Sequence, residues 1–183
     1  MPTPAQCIVT YLQAKDGNRP FLMPRAFAEG TSLEMVVNTD AISFPSAVSG
    51  CDTITDVLIR QFAGAYENVY TICLAPPPAP GLRHFACDWL VGMSSRKGGE
   101  IRVGCGRYDW TFAASDGRVE RLKITIEQMQ ILPPERLDAV MNWFAALAYP
   151  WCSAAEAART MPALPELAAI ATRIETKAKS HTT

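Results

Sequence analysis

Four side chains in this sequence have the type and placement to move a proton: Tyr11, Asp40, His84 and Asp109. A carboxylate can take a proton, and an imidazole can give or take one near neutral pH. A phenol that stays protonated can donate to an oxygen that is gaining charge. Asp109 stands out because it lies in GRYDWTF, between Tyr108 and Trp110. Successive side chains of a strand face opposite ways. Gly106, Tyr108, Trp110 and Phe112 then share one face, and Cys105, Arg107, Asp109 and Thr111 share the other. In LRHFACDWLVGM, alternation sets Phe85, Cys87, Trp89, Val91 and Met93 against His84, Ala86, Asp88 and Leu90. If SSRKGG closes a hairpin, Asp88 faces Arg107, Ala86 faces Asp109, and His84 lies diagonal to Asp109.

Two readings of Asp109 follow. In one, the aromatic face lines the interior and the polar face turns outward with an Asp88–Arg107 cross-strand pair. In the other, a β-bulge near Gly104 and Gly106 re-aims the polar face. His84 and Asp109 then form an acid–base pair beside Tyr11. Alternation draws on two whole strands and favours the first. On that reading Phe85, Trp89, Tyr108, Trp110 and Phe112 line an apolar pocket, suited to a small hydrophobic molecule, polycyclic or aromatic.

The rest of the chemistry-bearing inventory is sparse. The six cysteines are widely spaced with no C-x-x-C, and the histidines are His84 and His181. That pattern predicts no metal site and no cofactor, with buried thiols in a reducing cytoplasm. GCG at 104–106 is followed by a strand rather than a helix, so it is not a phosphate loop. A net charge of −1 gives no global electrostatic case for nucleic acid or an anionic membrane. The apolar runs fall short of the ~20 residues of a membrane span. The start lacks a basic segment followed by an apolar core, so no secretion signal is expected.

These side chains need elements to hold them. PAQCIVTYLQA puts Cys7, Ile8, Tyr11 and Leu12 at helical spacing, and DGNRP breaks that helix. FLMPRAFAEG predicts a short second helix with Pro24 in its first turn. TSLEMVVNT and AISFPSAVSG read as extended. CDTITDVLIRQFAGAY is a third helix with Ile54, Val57, Leu58 and Phe62 on its apolar stripe. From Asn68 the period falls to two. NVYTICLA and three longer segments read as strands, the latter joined by the turn-rich SSRKGG and SDG. Helices followed by a long-stranded meander indicate an α+β fold: a curved antiparallel sheet packed against three N-terminal helices. From Pro133 the chain is helical again, in PPERLDAVMNWFAALA, SAAEAART and LPELAAIATRIETKAK, with a capping box expected from Ser153 to Glu156. The division predicted is 1–132 as the α+β body and 133–183 as a helical extension, packed on that body or on a partner subunit. The closing SHTT is expected to fray.

The order of these elements resembles the nuclear transport factor 2-like superfamily of cone-shaped α+β folds, with its SnoaL-like and ketosteroid isomerase-like members. The resemblance rests on YLQAKDGNRPFLMPRAFAEGTSLEM, FPSAVSGCDTITDVLIRQF and GRYDWTFAASDGRVERLKI, and spans roughly residues 5 to 131. The helical tail departs from the shorter members. The resemblance implies a homodimer and cofactor-free proton transfer: isomerisation, dehydration or cyclisation. Tyr11 and a protonated Asp109 would stabilise an enolate, with Asp109 eight residues before the turn glycine Gly117. Asp40 or His84 would move the proton. A gap-free count from Tyr11 puts Met35 at the base position, a count back from Gly50 puts Ala41 there, and Asp40 is reached by a register shift. The competing expectation is a non-enzymatic ligand-binding or assembly module, like the small subunit of a ring-hydroxylating dioxygenase. Polar groups converging inside strand 101–113 favour an enzyme, and aromatics alone favour a binding module.

Overall fold

The fold is that of a computed structural model, which describes residues 1–180; of the end expected to fray, Ser180 is the last residue of the final helix, and His181 and the two residues after it lie outside the described residues. Helix α1 (Pro4–Asp16) starts at a capping box, in which Gln6 N–H donates to Thr3 Oγ1 and Thr3 N–H donates to the Gln6 side chain. It is followed by a 3₁₀ turn (Pro20–Leu22) and a single-turn α2 (Met23–Ala26). The second helix is therefore shorter than expected. Phe27 turns extended and pairs with Val119, and its ring is buried, so β1 (Phe27–Val37) begins where FLMPRAFAEG was read as helix. Strand β2 (Ala47–Ser49) pairs with β1, and most of AISFPSAVSG is loop. The third helix forms as one rod: α3 (Cys51–Thr55), a π-helical stretch (Asp56–Gln61) and α4 (Phe62–Ala65).

Strands β3 (Tyr66–Cys73), β4 (His84–Ser95), β5 (Ile101–Phe112) and β6 (Val119–Leu132) complete one sheet, in the order β2-β1-β6-β5-β4-β3. The sheet expected to be antiparallel is mixed, because β1 lies parallel to β6 while the other neighbours run antiparallel. Irregularities in β1, β3 and β6 bend it around the N-terminal helices. The register of β4 on β5 is the one alternation predicts: Asp88 faces Arg107, Ala86 faces Asp109 and His84 faces Thr111.

The sheet separates two apolar cores. On its concave face, Trp89, Val91, Met93, Tyr108, Trp110 and Phe112 pack against α1 and the 51–65 rod. On its convex face, Ile72, Leu90, Ile101, Val103 and Cys105 are covered by α5 (Leu137–Ala146), α6 (Ala154–Thr160) and α7 (Ala168–Ser180). The C-terminal helices thus pack on this chain's own sheet. Gly92 makes room for α5, since a Cβ there would lie 2.3 Å from the Phe144 ring. Ser153 caps α6 by accepting from Glu156 N–H at 3.1 Å. The reciprocal half of the expected capping box gives way to a local ion pair, as the Glu156 carboxylate turns to Arg159 at 2.7 Å.

Candidate functional site

Helix α1 carries Tyr11 and Lys15 one turn apart, so their side chains share a face. That face looks into a hollow between the rod and the concave sheet. The walls include Met35 from β1, Phe62 from α4, Trp89 and Met93 from β4, Tyr108 from β5 and Met129 from β6. The partly exposed Ile42 and Phe44 sit at its rim, on the loop between β1 and β2. The hollow has about 50 Å³ of free volume within an outline of about 450 Å³ that includes its open mouth.

The polar groups gather at one end. Lys15 is a buried lysine, with 7% of its surface exposed. Its ammonium donates to Thr71 Oγ1 at 2.7 Å and pairs with the Asp16 carboxylate at 2.9 Å. Its remaining neighbour is the Phe62 ring, 4.7 Å to the centroid. Asp16, the last residue of α1, has its four acceptances filled. Its Oδ1 takes Thr71 Oγ–H at 2.8 Å beside Lys15, and its Oδ2 takes Thr71 N–H at 2.7 Å and Tyr149 O–H at 3.2 Å. A carboxylate so fully engaged holds Lys15 in place and has no lone pair directed to a ligand. Tyr108 meets Tyr11 edge to face, with ring centroids 6.3 Å apart. Burial, the largest influence, drives both phenols far above their ordinary range, so they stay protonated donors.

The four sequence candidates do not converge. Tyr11 lines the hollow, fully buried against Phe27, Tyr108 and Trp110. Asp109 and His84 lie across the sheet from it. Asp109 is on the convex face, 43% exposed, with Arg107 at 3.4 Å. His84 is exposed beside Thr111 at 3.3 Å. Neither can reach the Tyr11 hydroxyl. The expected bulge does exist near Gly104 and Gly106, but the extra residue is Glu127 on β6. It leaves the alternation of β5 intact, so Asp109 is not re-aimed. Asp40 is exposed in the rim loop, whereas Met35 lines the hollow. The gap-free count thus lands on a wall residue that is a thioether and no base. The Asp88–Arg107 pair is present at 4.0 Å, although Lys177 of α7 comes closer to Asp88, at 3.3 Å.

Of the expected lining, Trp89 and Tyr108 border the hollow. Trp110 and Phe112 are buried in the core beside it, and Phe85 packs edge-on against Trp151. Sequence reasoning missed Lys15, Asp16 and Thr71. The spacing of Lys15 from Tyr11 was available as a signal. The contact with Thr71, 55 positions on from Asp16, was not. Among the described residues no group of three or more His, Cys, Asp or Glu gathers where a metal ion could sit, and no helix is long and apolar enough to cross a membrane.

No protein-family model matches the sequence, and none of the curated proteins does. Solved structures do match in shape. An NTF2-like protein from Burkholderia thailandensis is 15% identical, with a TM-score of 0.54, over 69% of this chain and 92% of its own. A nuclear transport factor 2-like superfamily protein from Salmonella enterica serovar Typhimurium is 18% identical, with a TM-score of 0.53, over 68% and 88%. A protein of ketosteroid isomerase-like fold from Catenulispora acidiphila, solved with trimethylamine, is 15% identical, with a TM-score of 0.52, over 67% and 85%.

Proposed function

We propose that this chain, which has the nuclear transport factor 2-like fold, holds a small hydrophobic, aromatic-sized molecule in the hollow between α1 and the concave sheet. The observation that carries this is the asymmetry of the wall. Met35, Met93, Met129, Trp89, Ile124 and Ile126 make it apolar, and Lys15 with Thr71 makes one end polar. A few fixed polar groups in an apolar cleft suit a ligand with an apolar body and one polar atom. The free volume of about 50 Å³ is below the ~150 Å³ that holds a benzene ring. Ligand entry on this reading requires the rim to open. Ile42 and Phe44 sit on a loop anchored at its ends by Asn38 N–H to Ile126 O and Met35 N–H to Ser46 O, both 2.9 Å. Its interior is tied by Ala41 N–H to Thr39 Oγ1 at 3.2 Å.

Binding is favoured over catalysis here. Strand β5 presents aromatics to the interior, and the Asp16 carboxylate beside Lys15 is committed to four donors. A second reading, cofactor-free proton transfer of the isomerase, dehydratase or cyclase kind, is supported by Tyr11 and Tyr108. Both are held as protonated donors in an apolar site, as stabilisation of an enolate requires. The six free, buried thiols fit a reducing compartment, the expected cytoplasm. A homodimer is proposed with it, to be tested by sedimentation velocity. The binding proposal is tested by mass spectrometry of the protein isolated from cells. A retained apolar compound, lost when Met35→Phe narrows the hollow, is the expected result. Identical spectra from the two proteins would count against it.

A further inference from the structure

We infer that the ligand class is a neutral carbonyl compound, an aromatic or alicyclic ketone, aldehyde or ester, bound with its oxygen on the Lys15 ammonium. The inference rests on the reading of the hollow as a binding site and goes on to the chemistry of its polar end. An ammonium has three donors. Thr71 Oγ1 takes one at 2.7 Å and the Asp16 carboxylate takes another at 2.9 Å. The third is left to the face of Phe62, itself part of the wall. A buried donor with only a ring for a partner is better satisfied by an oxygen acceptor. The ligand therefore brings an acceptor to that end.

The charge balance narrows the acceptor. Lys15 is already neutralised by Asp16, whose carboxylate lies 2.9 Å from the ammonium. A second carboxylate brought to the same ammonium would lie close to Asp16 and be repelled in a site with little water to screen it. An amine would face Lys15 itself. A plain hydrocarbon would leave the third donor where it is. A neutral carbonyl oxygen meets neither repulsion and accepts the free donor, while its apolar body lies along Trp89 and the three methionines Met35, Met93 and Met129. Tyr11 shares the α1 face with Lys15 and Tyr108 backs it, so the same end carries two further protonated hydroxyls.

The probes are acetophenone, ethylbenzene and benzoate, matched in ring size and differing in the polar atom. Binding is followed by calorimetry with the wild-type protein, with Lys15→Met, and with the double variant K15M/D16N. The double variant avoids leaving Asp16 as a lone buried charge. All are measured also in a Phe44→Ala background, which opens the rim. Wild type is expected to prefer acetophenone over ethylbenzene by roughly tenfold or more, as for a hydrogen bond to a charged donor. Benzoate is expected to bind more weakly than acetophenone. Both lysine variants should lose the preference for acetophenone over ethylbenzene. A preference that survives in K15M/D16N, or benzoate binding best, overturns the carbonyl assignment and leaves the hollow as a binding site. Failure of all the probes in both backgrounds overturns the binding reading, and the carbonyl assignment with it.

Discussion

Thr71 is the residue on which the polar end depends. It accepts from Lys15 through Oγ1 and gives Asp16 two donors, its own O–H and its backbone N–H. Thr71→Val keeps the shape and the backbone donor, and it removes both side-chain bonds at a buried charged pair. A cost of about 2–3 kcal/mol is expected. Tyr149 gives Asp16 one partly exposed bond at 3.2 Å, so Tyr149→Phe should cost about 1 kcal/mol. Urea unfolding of the two variants checks the order, and an equal or reversed ranking would contradict this account of the cluster. These residues were hard to see in the sequence for a physical reason. Lys15 and Asp16 stand where α1 ends, and a charged pair at a helix end before a glycine is ordinarily solvated. Only the sheet, by delivering Thr71 to that end, makes the pair interior. Tyr11 was legible because its helical stripe is local. Asp109 was legible as an outward residue for the same reason, since alternation needs only its own strand and one neighbour.

At the scale of elements, the convex core makes the C-terminal helices part of the fold. Phe144 of α5 is fully buried over Gly92 of β4. Phe144→Ala should cost about 3–5 kcal/mol by opening a cavity. Gly92→Ala should cost about 1–3 kcal/mol, because the new methyl meets the ring. Their effects should not add. In the double variant the methyl enters the space the ring has left, so the combined cost should fall below the sum by at least about 1 kcal/mol. A thermodynamic cycle of the four proteins decides this, and strict additivity would mean that α5 does not sit on Gly92 in solution.

Each core holds a thiol that sets a pH limit, Cys105 on the convex side and Cys7 on the concave side. Burial, with a smaller push from Glu127, raises the Cys105 thiol from an ordinary value of 9.0 to about 12, and burial raises Cys7 to about 11. In each case the folded state holds the proton more tightly than the unfolded chain. Stability is therefore full below about pH 9 and is lost as pH rises towards 12. Cys105→Ala should flatten the alkaline fall in chemical denaturation between pH 9 and 11. An unchanged slope would show that Cys105 does not titrate in that way.

For the molecule as a whole, the helix–sheet order and the β4–β5 register were readable from periodicity, because each rests on contacts near in sequence. The parallel partnership of β1 with β6 was not, since it joins segments about 90 positions apart, as Leu33 with Leu122. A bulge near Gly104 and Gly106 was signalled by those glycines, but not that its extra residue would be Glu127 on β6. The hollow comes from those two non-local features together with α1, so its existence was anticipated and its polar end was not. Its occupancy is the central claim, and the methionine methyls report on it directly. Three of the seven methionines, Met35, Met93 and Met129, line the hollow, while Met1, Met23, Met141 and Met161 lie elsewhere. Carbon-13 methyl spectra of the methionines, titrated with acetophenone, should show Met35, Met93 and Met129 shifting together and saturably, with the other four still. Shifts confined to Met141 and Met161, or no saturable shift at all, would contradict the account.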